Sequence, residues 1–337
     1  MLLDRLEVLQ KLMCVMPGVS KTGTTLQSNC VIFRKGRFYT LNNEIACSIE
    51  SGLNPAITAA IPADKFISSL NHIKEEMIDI DATDAFIVVK AGGNTRVRIR
   101  KEEKITLEIE GVEKPDTWVK IGEKFSEGVG LVHKCTKKSD PRAFILECVH
   151  VHPRYLEATD NVKIIRYNVR CFVQKPVLVR GTVLKAITAL GMTRASETRN
   201  WLHFRNAYGL RVSLKKHDVE SYPDHSEFLN TRGKKINLTE SIQADIKLAS
   251  LFKDENGAVK IRLAKEKGTP KVFLEAVCIE GDFQKKYDST YTGKKIGFDI
   301  PPKLLQDLLE KKTECEITEV SLRVEDKRYV YAACLKE

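Results

Sequence analysis

The sequence predicts an α+β protein in which one pattern, two helices packed on antiparallel sheet, is repeated three times. Three observations predict it: an apolar spacing that recurs at a long fixed interval, hairpin patterns between the recurrences, and Pro-Asp breaks that separate the thirds. The spacing is i, i+1, i+4. It occurs at Phe66-Ile67 with Leu70, Val183-Leu184 with Ile187, and Leu304-Leu305 with Leu308, with starts 117 and 121 residues apart. A second set is Val8-Leu9 with Leu12, Leu131-Val132 with Cys135, and Leu248-Ala249 with Phe252, at intervals of 123 and 117 residues. This spacing lays apolar side chains along one stripe of a helix. A fixed long period is the mark of a repeated architecture.

Each element has its own local reason. The segment from Met1 to Glu7 lacks a basic start and carries acids in its first turn, so it reads as a helix and not as a signal peptide. Asn29–Phe33 and Phe38–Leu41 flank a glycine turn, Arg34-Lys35-Gly36-Arg37, as a hairpin does. Ala143–Val149 and Arg154–Glu157 repeat the pattern around Pro153. Val259–Leu263 and Lys271–Glu275 repeat it around Lys267-Gly268-Thr269-Pro270. Further hairpins read as Ala85–Val89 with Arg96–Ile99, and Val320–Val324 with Tyr329–Tyr331. Lys114-Pro115-Asp116 and Ser221-Tyr222-Pro223-Asp224 read as linkers, giving domains 1–114, 115–222 and 223–337. Three such domains in a row leave sheet edges that must be covered, and closure of an oligomer into a ring would cover them.

The chain has 337 residues, 55 Lys+Arg and 45 Asp+Glu, a formal charge of +10 that points to an anionic partner, nucleic acid first. No apolar run approaches a membrane span, so no membrane partner is expected. The nine cysteines form no Cys-x-x-Cys pair; they read as small buried hydrophobes of a chain in a reducing, cytoplasmic compartment. His150-x-His152 puts two imidazoles on one strand face but without an acidic or cysteine cluster. Asp79, Asp81 and Asp84 read as a solvated turn. Ala91-Gly92-Gly93-Asn94 lacks the Lys-Ser/Thr of a phosphate loop and reads as a hairpin turn. No catalytic residue, metal site or cofactor is expected, and the chain is not read as an enzyme. The rival readings are a Mg²⁺-dependent DNA-processing protein using the acids near Asp79–Asp84, and a basic DNA-binding protein that does not encircle DNA.

Several short segments, in order along the chain, resemble the bacterial DNA polymerase III beta subunit, the sliding-clamp family. They are Leu26-Gln27-Ser28-Asn29 with Thr40-Leu41-Asn42-Asn43-Glu44-Ile45, Ile61-Pro62-Ala63-Asp64-Lys65-Phe66, Ala158-Thr159-Asp160, Ser221-Tyr222-Pro223-Asp224, and Ile296-Gly297-Phe298-Asp299. The chain departs from the family in having Asn161 where a glycine follows Ala-Thr-Asp, Lys163 two places on, Cys334-Leu335-Lys336-Glu337 at the end, and a basic overall charge. It is similar to a divergent member.

The resemblance implies three clamp-type domains per chain closing into a ring as a homodimer, a processivity factor that encircles duplex DNA and tethers the replicative polymerase. Its partners would be double-stranded DNA, DNA polymerase, the clamp loader and a second copy of itself. DNA-facing residues would be Arg5, Lys11, Lys21, Lys74, Lys134, Lys137, Arg180, Lys185, Lys247 and Lys311, with Lys65 and Lys303 on the same helices. Phosphate contacts position a ring without reading sequence. A groove for apolar polymerase peptides would use Thr159, Asn161, Lys163, Ile164, Pro223, Phe228, Val330 and Ala332. The dimer contact would join the edge strand containing Arg96, Val97, Arg98 and Ile99 to a region around Leu248 and Phe252 and the strand Lys271–Glu275, with Glu275 answering the arginines.

Overall fold

The computed structural model describes residues 2–20, 25–137, 143–219, 222–238, 241–253, 257–309, 314–318 and 320–334, the side chains of Asp307 and Leu308 excepted. The chain packs as two compact units. One comprises Met1–Ser126 and Phe172–Asp218, the other Glu127–Cys171 and Val219–Glu337.

In the first unit eight antiparallel strands pair in the order Ala59–Pro62, Cys30–Arg34, Arg37–Leu41, Ile45–Glu50, Arg211–Lys215, Trp201–Arg205, Arg194–Glu197 and Val119–Lys120. A four-stranded sheet runs Leu2–Asp4, Met77–Ala82, Phe86–Ala91, Thr95–Arg100. Helix Arg5–Val15 starts where Asp4 Oδ1 accepts the N–H groups of Leu6 (2.7 Å) and Glu7 (3.0 Å). Such a cap is worth about 1 kcal/mol. Val8, Leu12 and Val15 of this helix and Phe66 and Leu70 of helix Ala63–His72 are buried. Phe66 meets Phe33 edge-on at 5.5 Å, joining helix to sheet. Each fully buried side chain of this size contributes about 1.5–3 kcal/mol.

In the second unit seven antiparallel strands pair in the order Cys148–His152, Tyr155–Thr159, Lys163–Asn168, Tyr329–Cys334, Ser321–Glu325, Glu314–Ile317 and Lys234–Asn237. Its four-stranded sheet runs Gly281–Asp288, Thr269–Cys278, Val259–Glu266, Ile296–Ile300. Ile242, Ile246 and Ala249 of helix Ser241–Ala249 and Leu304 and Leu305 of helix Pro302–Leu309 are buried.

The α+β class and antiparallel pairing agree with the sequence reading. Helices stand at all six predicted places; Gly181–Thr188 and Glu123–Val132 are the remaining two. The glycine turns are tight two-residue loops. Arg34 pairs Arg37 across Lys35-Gly36 (φ +51° and +68°), and Glu266 pairs Thr269 across Lys267-Gly268 (φ +48° and +83°). Positive φ at both central residues matches the right-handed twist of the strands.

Four local expectations are corrected. Leu2–Asp4 is a strand paired with Met77–Asp79, and the first helix begins only at Arg5. Phe144–Glu147 is a 3-10 turn, and the strand begins at Cys148. Asp79 and Asp81 lie within strand Met77–Ala82 and not in a turn. The stripe of helix Ser241–Ala249 is Ile242, Ile246, Ala249; Leu248 is 47% exposed, because the helix ends at Ala249 and Ser250–Phe252 continues as a 3-10 turn. Of the cysteines, six are buried, Cys14 and Cys278 are half-buried and Cys334 is exposed, all free.

Candidate nucleic-acid interface, free edges and partner groove

The basic residues singled out from the sequence differ in what their side chains do. Arg5 is half-buried and is spent within the fold: its Nε donates to Glu75 O at 2.9 Å and its guanidinium to Leu70 O at 3.1 Å. Lys11 pairs with Glu7 at 2.7 Å, one helical turn away. Arg180 pairs with Glu44 at 3.1 Å. That glutamate also meets His217 Nε2 at 3.1 Å. Burial pushes the Glu44 carboxyl up, but the His217 bond and the nearby cations outweigh it and hold it below the usual range. Lys134 and Lys137 are half-buried. Lys65, Lys74, Lys185, Lys247 and Lys303 are exposed on or beside helices. Lys21 and Lys311 lie outside the described residues.

Thr95–Arg100 is an edge strand among the described residues, as expected. Arg96, Arg98 and Arg100 are exposed, and Arg98 lies over the Phe86 ring at 4.0 Å. Ile99 is only 7% exposed; alternation turns it into the core of its own unit. A recess of about 600 Å³ adjoins this strand, lined by Lys65, Ser68, Ser69, His72, Lys74 and Val97 among others.

The expected partner strand, Lys271–Glu275, is not an edge: it belongs to Thr269–Cys278, which is paired on both sides. Glu275 is already engaged by Arg262 Nε at 2.9 Å and Gln284 Nε2 at 2.7 Å. Among the described residues the edge on that side is Gly281–Asp288. Phe252 stands beside it, its ring 3.4 Å from where a side chain on Gly281 would begin. Leu248 and Leu251 are exposed next to it in sequence, at 47% and 72%.

The predicted groove residues largely converge in the second unit. Ile164, Leu229 and Ala332 form one buried cluster against which Phe228 and Val330 pack. Above it opens a cavity of about 170 Å³ lined by Thr159, Asn161, Val162, Lys163, Ile164, His225, Phe228 and Cys334. Pro223 is exposed and does not line it.

The loop that shapes the cavity is held by its own hydrogen bonds. Asp160 Oδ1 accepts Val162 N (3.0 Å) and Lys163 N (2.9 Å), and its other oxygen pairs with Lys163 Nζ. Thr159 Oγ1 donates to Lys163 O (3.0 Å) and accepts Asn161 N (3.1 Å). Asn161 takes φ +75°, a conformation that glycine and asparagine reach most readily. Asparagine therefore serves where the resembling family has glycine.

The group that anchors His225, which lines the cavity, was not expected from the sequence. Glu157 is 1% exposed, yet its carboxylate takes Arg166 Nε at 2.5 Å and His225 Nδ1 at 3.3 Å. Arg166 also reaches Ser226 Oγ (3.3 Å) and lies over Tyr155 at 4.5 Å. Burial pushes the Glu157 carboxyl up, but the His225 bond and the Arg166 charge outweigh it and keep it low. Glu157 and Arg166 face each other across a hairpin, a pairing that register alone creates.

Among the described residues no three His, Cys, Asp or Glu side chains come together as metal ligands. His150 and His152 share a face with ring centroids 6.0 Å apart. No helix of the described residues is long and apolar enough to cross a membrane.

No protein-family model matches the sequence, and no curated protein matches it. Solved structures do. A putative DNA polymerase III beta subunit from Eubacterium rectale superposes with TM-score 0.81 at 12% identity, over 99% of this chain and 98% of that one. The beta subunit of Pseudomonas aeruginosa gives 0.75 at 15% identity, over 100% and 99%. The DNA polymerase sliding clamp of Bacillus subtilis gives 0.77 at 14% identity, over 100% and 98%. The fold is that of the bacterial sliding clamps. The likeness runs nearly the whole length of both chains.

Proposed function

We propose that this chain is a DNA sliding clamp, a processivity factor of DNA replication without catalytic residues of its own. Its three domains would be 1–114, 115–222 and 223–337, and two copies would close head to tail into a ring around duplex DNA. The observation that carries the reading is the full-length clamp fold, TM-scores of 0.75 to 0.81 over at least 98% of each chain named. The charge of +10 supports it, since a ring that slides needs phosphate attraction without sequence readout. Lys185, Lys247 and Lys303 are described candidates with exposed side chains; Lys65 and Lys74, also exposed, line the recess beside the edge strand.

In this reading the subunits meet between the edge strand Thr95–Arg100, with its adjoining recess, and the edge Gly281–Asp288, with Leu248, Leu251 and Phe252. Such a contact pairs two open edges and fills the recess with apolar side chains. Light scattering should return about twice 38.1 kDa for the unmodified chain. Arg96→Glu with Arg100→Glu, which spares Arg98 on Phe86, should return it toward 38.1 kDa. A single subunit mass for the unmodified chain at high concentration would refute the ring.

The groove at Thr159, Ile164, Phe228 and Val330 would receive short apolar peptides of a polymerase and of a clamp loader. Encirclement itself has a direct test. Protein assembled on circular duplex should survive a wash in high salt, which weakens phosphate contacts steeply, and should leave once the circle is cut. Equal retention on cut and uncut DNA would instead indicate a protein that coats DNA.

A further inference from the structure

The clamp reading gives the groove an apolar floor but leaves open what selects the peptide backbone. Among the lining groups, the Thr159 hydroxyl and the Lys163 amine are already committed, while the Asn161 amide stands exposed at the tip of the loop. Thr159 Oγ1 both donates and accepts within its own loop, and Lys163 Nζ is paired with Asp160. His225 differs: its Nδ1 is turned to Glu157 Oε1, and among the described residues its Nε2 has no hydrogen-bond partner while the ring lines the cavity.

The chemistry of the pair fixes what that nitrogen offers. A carboxylate only accepts, so Nδ1 carries the proton and Nε2 of the neutral ring is an acceptor. Glu157 cannot turn away, because Arg166 holds its other oxygen and is itself fixed to Ser226 and over Tyr155. The cavity of about 170 Å³ is smaller than the roughly 300–1,000 Å³ of small-molecule sites and has room for one apolar side chain. An acceptor beside such a pocket is complementary to an amide N–H of an extended peptide.

We propose that His225 is a specificity-determining residue of the groove: its Nε2 accepts an amide N–H of a peptide whose leucine or phenylalanine side chain fills the cavity, and Glu157 is the positioning residue that sets the imidazole tautomer. The proposal rests on the groove reading above.

The test uses two isosteric halves of the ring and a labelled peptide ending in Leu-Phe. In His225→Asn the side-chain nitrogen stands for Nδ1 and nothing stands for Nε2. In His225→Gln the terminal amide stands for Nε2. Loss of one hydrogen bond should weaken binding roughly three- to tenfold in the Asn variant, and the Gln variant should stay within about twofold. A peptide N-methylated at the donating amide should lose affinity for the unmodified chain and not for the Asn variant. Equal affinity of the Asn variant and the unmodified chain overturns the role of His225 and leaves the groove standing. No binding to the unmodified chain overturns both. Should either variant fail to fold, ¹⁵N-histidine spectra of the unmodified protein decide. An Nδ1-protonated tautomer whose Nε2 signal moves on adding peptide supports the proposal, and an Nε2-protonated tautomer overturns it.

Discussion

Replacing Ile164 by Asp is expected to unfold the second unit, not merely to empty its groove. Ile164 is 1% exposed and packs with Leu229 and Ala332 beneath the cavity. Its strand is paired on both sides, to Thr159 through one neighbour and to Ala332 through the other. The substitution loses about 2–3 kcal/mol of apolar burial. It also places a carboxylate among apolar side chains, and the adjacent cation, Lys163, is already held by Asp160. Together these cost on the order of 5 kcal/mol, against a total stability of about 5–15 kcal/mol for a typical domain. Urea titration should show the transition of this unit collapsing. Val162→Asp, at the cavity rim and 43% exposed, should leave the midpoint within about 0.5 kcal/mol and still weaken peptide binding. An Ile164→Asp protein with the midpoint of the unmodified chain would contradict the packing described.

Mild acid is expected to destabilise both units before the carboxylates titrate. Each unit buries one histidine. His203, 2% exposed, lies between Ser213 Oγ and Thr198 Oγ1, both at 2.8 Å. His150, 8% exposed, has an Nδ1 without a hydrogen-bond partner. Burial pushes both rings down from 6.5 to about 4. The unfolded chain therefore takes up protons between pH 6.5 and 4 while the folded chain does not. The stability these rings contribute is fully present above about pH 6.5 and is lost as the pH falls toward 4, roughly 3 kcal/mol for each ring. Glu44 and Glu157, held low, add their own loss only below their unfolded value of about 4.5. Denaturation midpoints should fall from pH 7 to pH 5, and His203→Gln should flatten the first unit's decline. An unchanged slope in that variant would show that His203 is not the group responsible.

The helices were legible because four of the six copies of the apolar spacing lie within helices and the other two, ending at Cys135 and Phe252, start in the last residues of a helix and run into a 3-10 turn; the tight turns were legible because Lys-Gly supplies the positive φ that the hairpins need. The errors have local causes. Ala143–Glu147 has strand-like composition, yet four of its residues close a 3-10 turn. Leu248 fits the spacing numerically, but the helix ends one residue later and the stripe is set by Ile242 and Ile246. Glu275 lies on an inner strand, and sequence does not reveal which strand of a sheet is its edge. The groove's apolar residues could be picked out by resemblance. The Glu157–Arg166–His225 network behind it could not, since Arg166 and His225 lie 9 and 68 positions from Glu157 and only the register of the sheet and the path of the chain bring them together.

Both large sheets are completed by strands far apart along the chain. Ile45–Glu50 waits for Arg211–Lys215, and Lys163–Asn168 waits for Tyr329–Cys334. At a synthesis rate of roughly 5–20 residues per second, an unpartnered strand stays open for on the order of ten seconds on the ribosome. Closing such distant ends is slow on entropic grounds. The nascent chain therefore exposes Ile45, Ile49, Ile164 and Ile165 for longest, side chains that the finished protein buries, and its yield in a cell should depend on holding chaperones more than its final stability would imply.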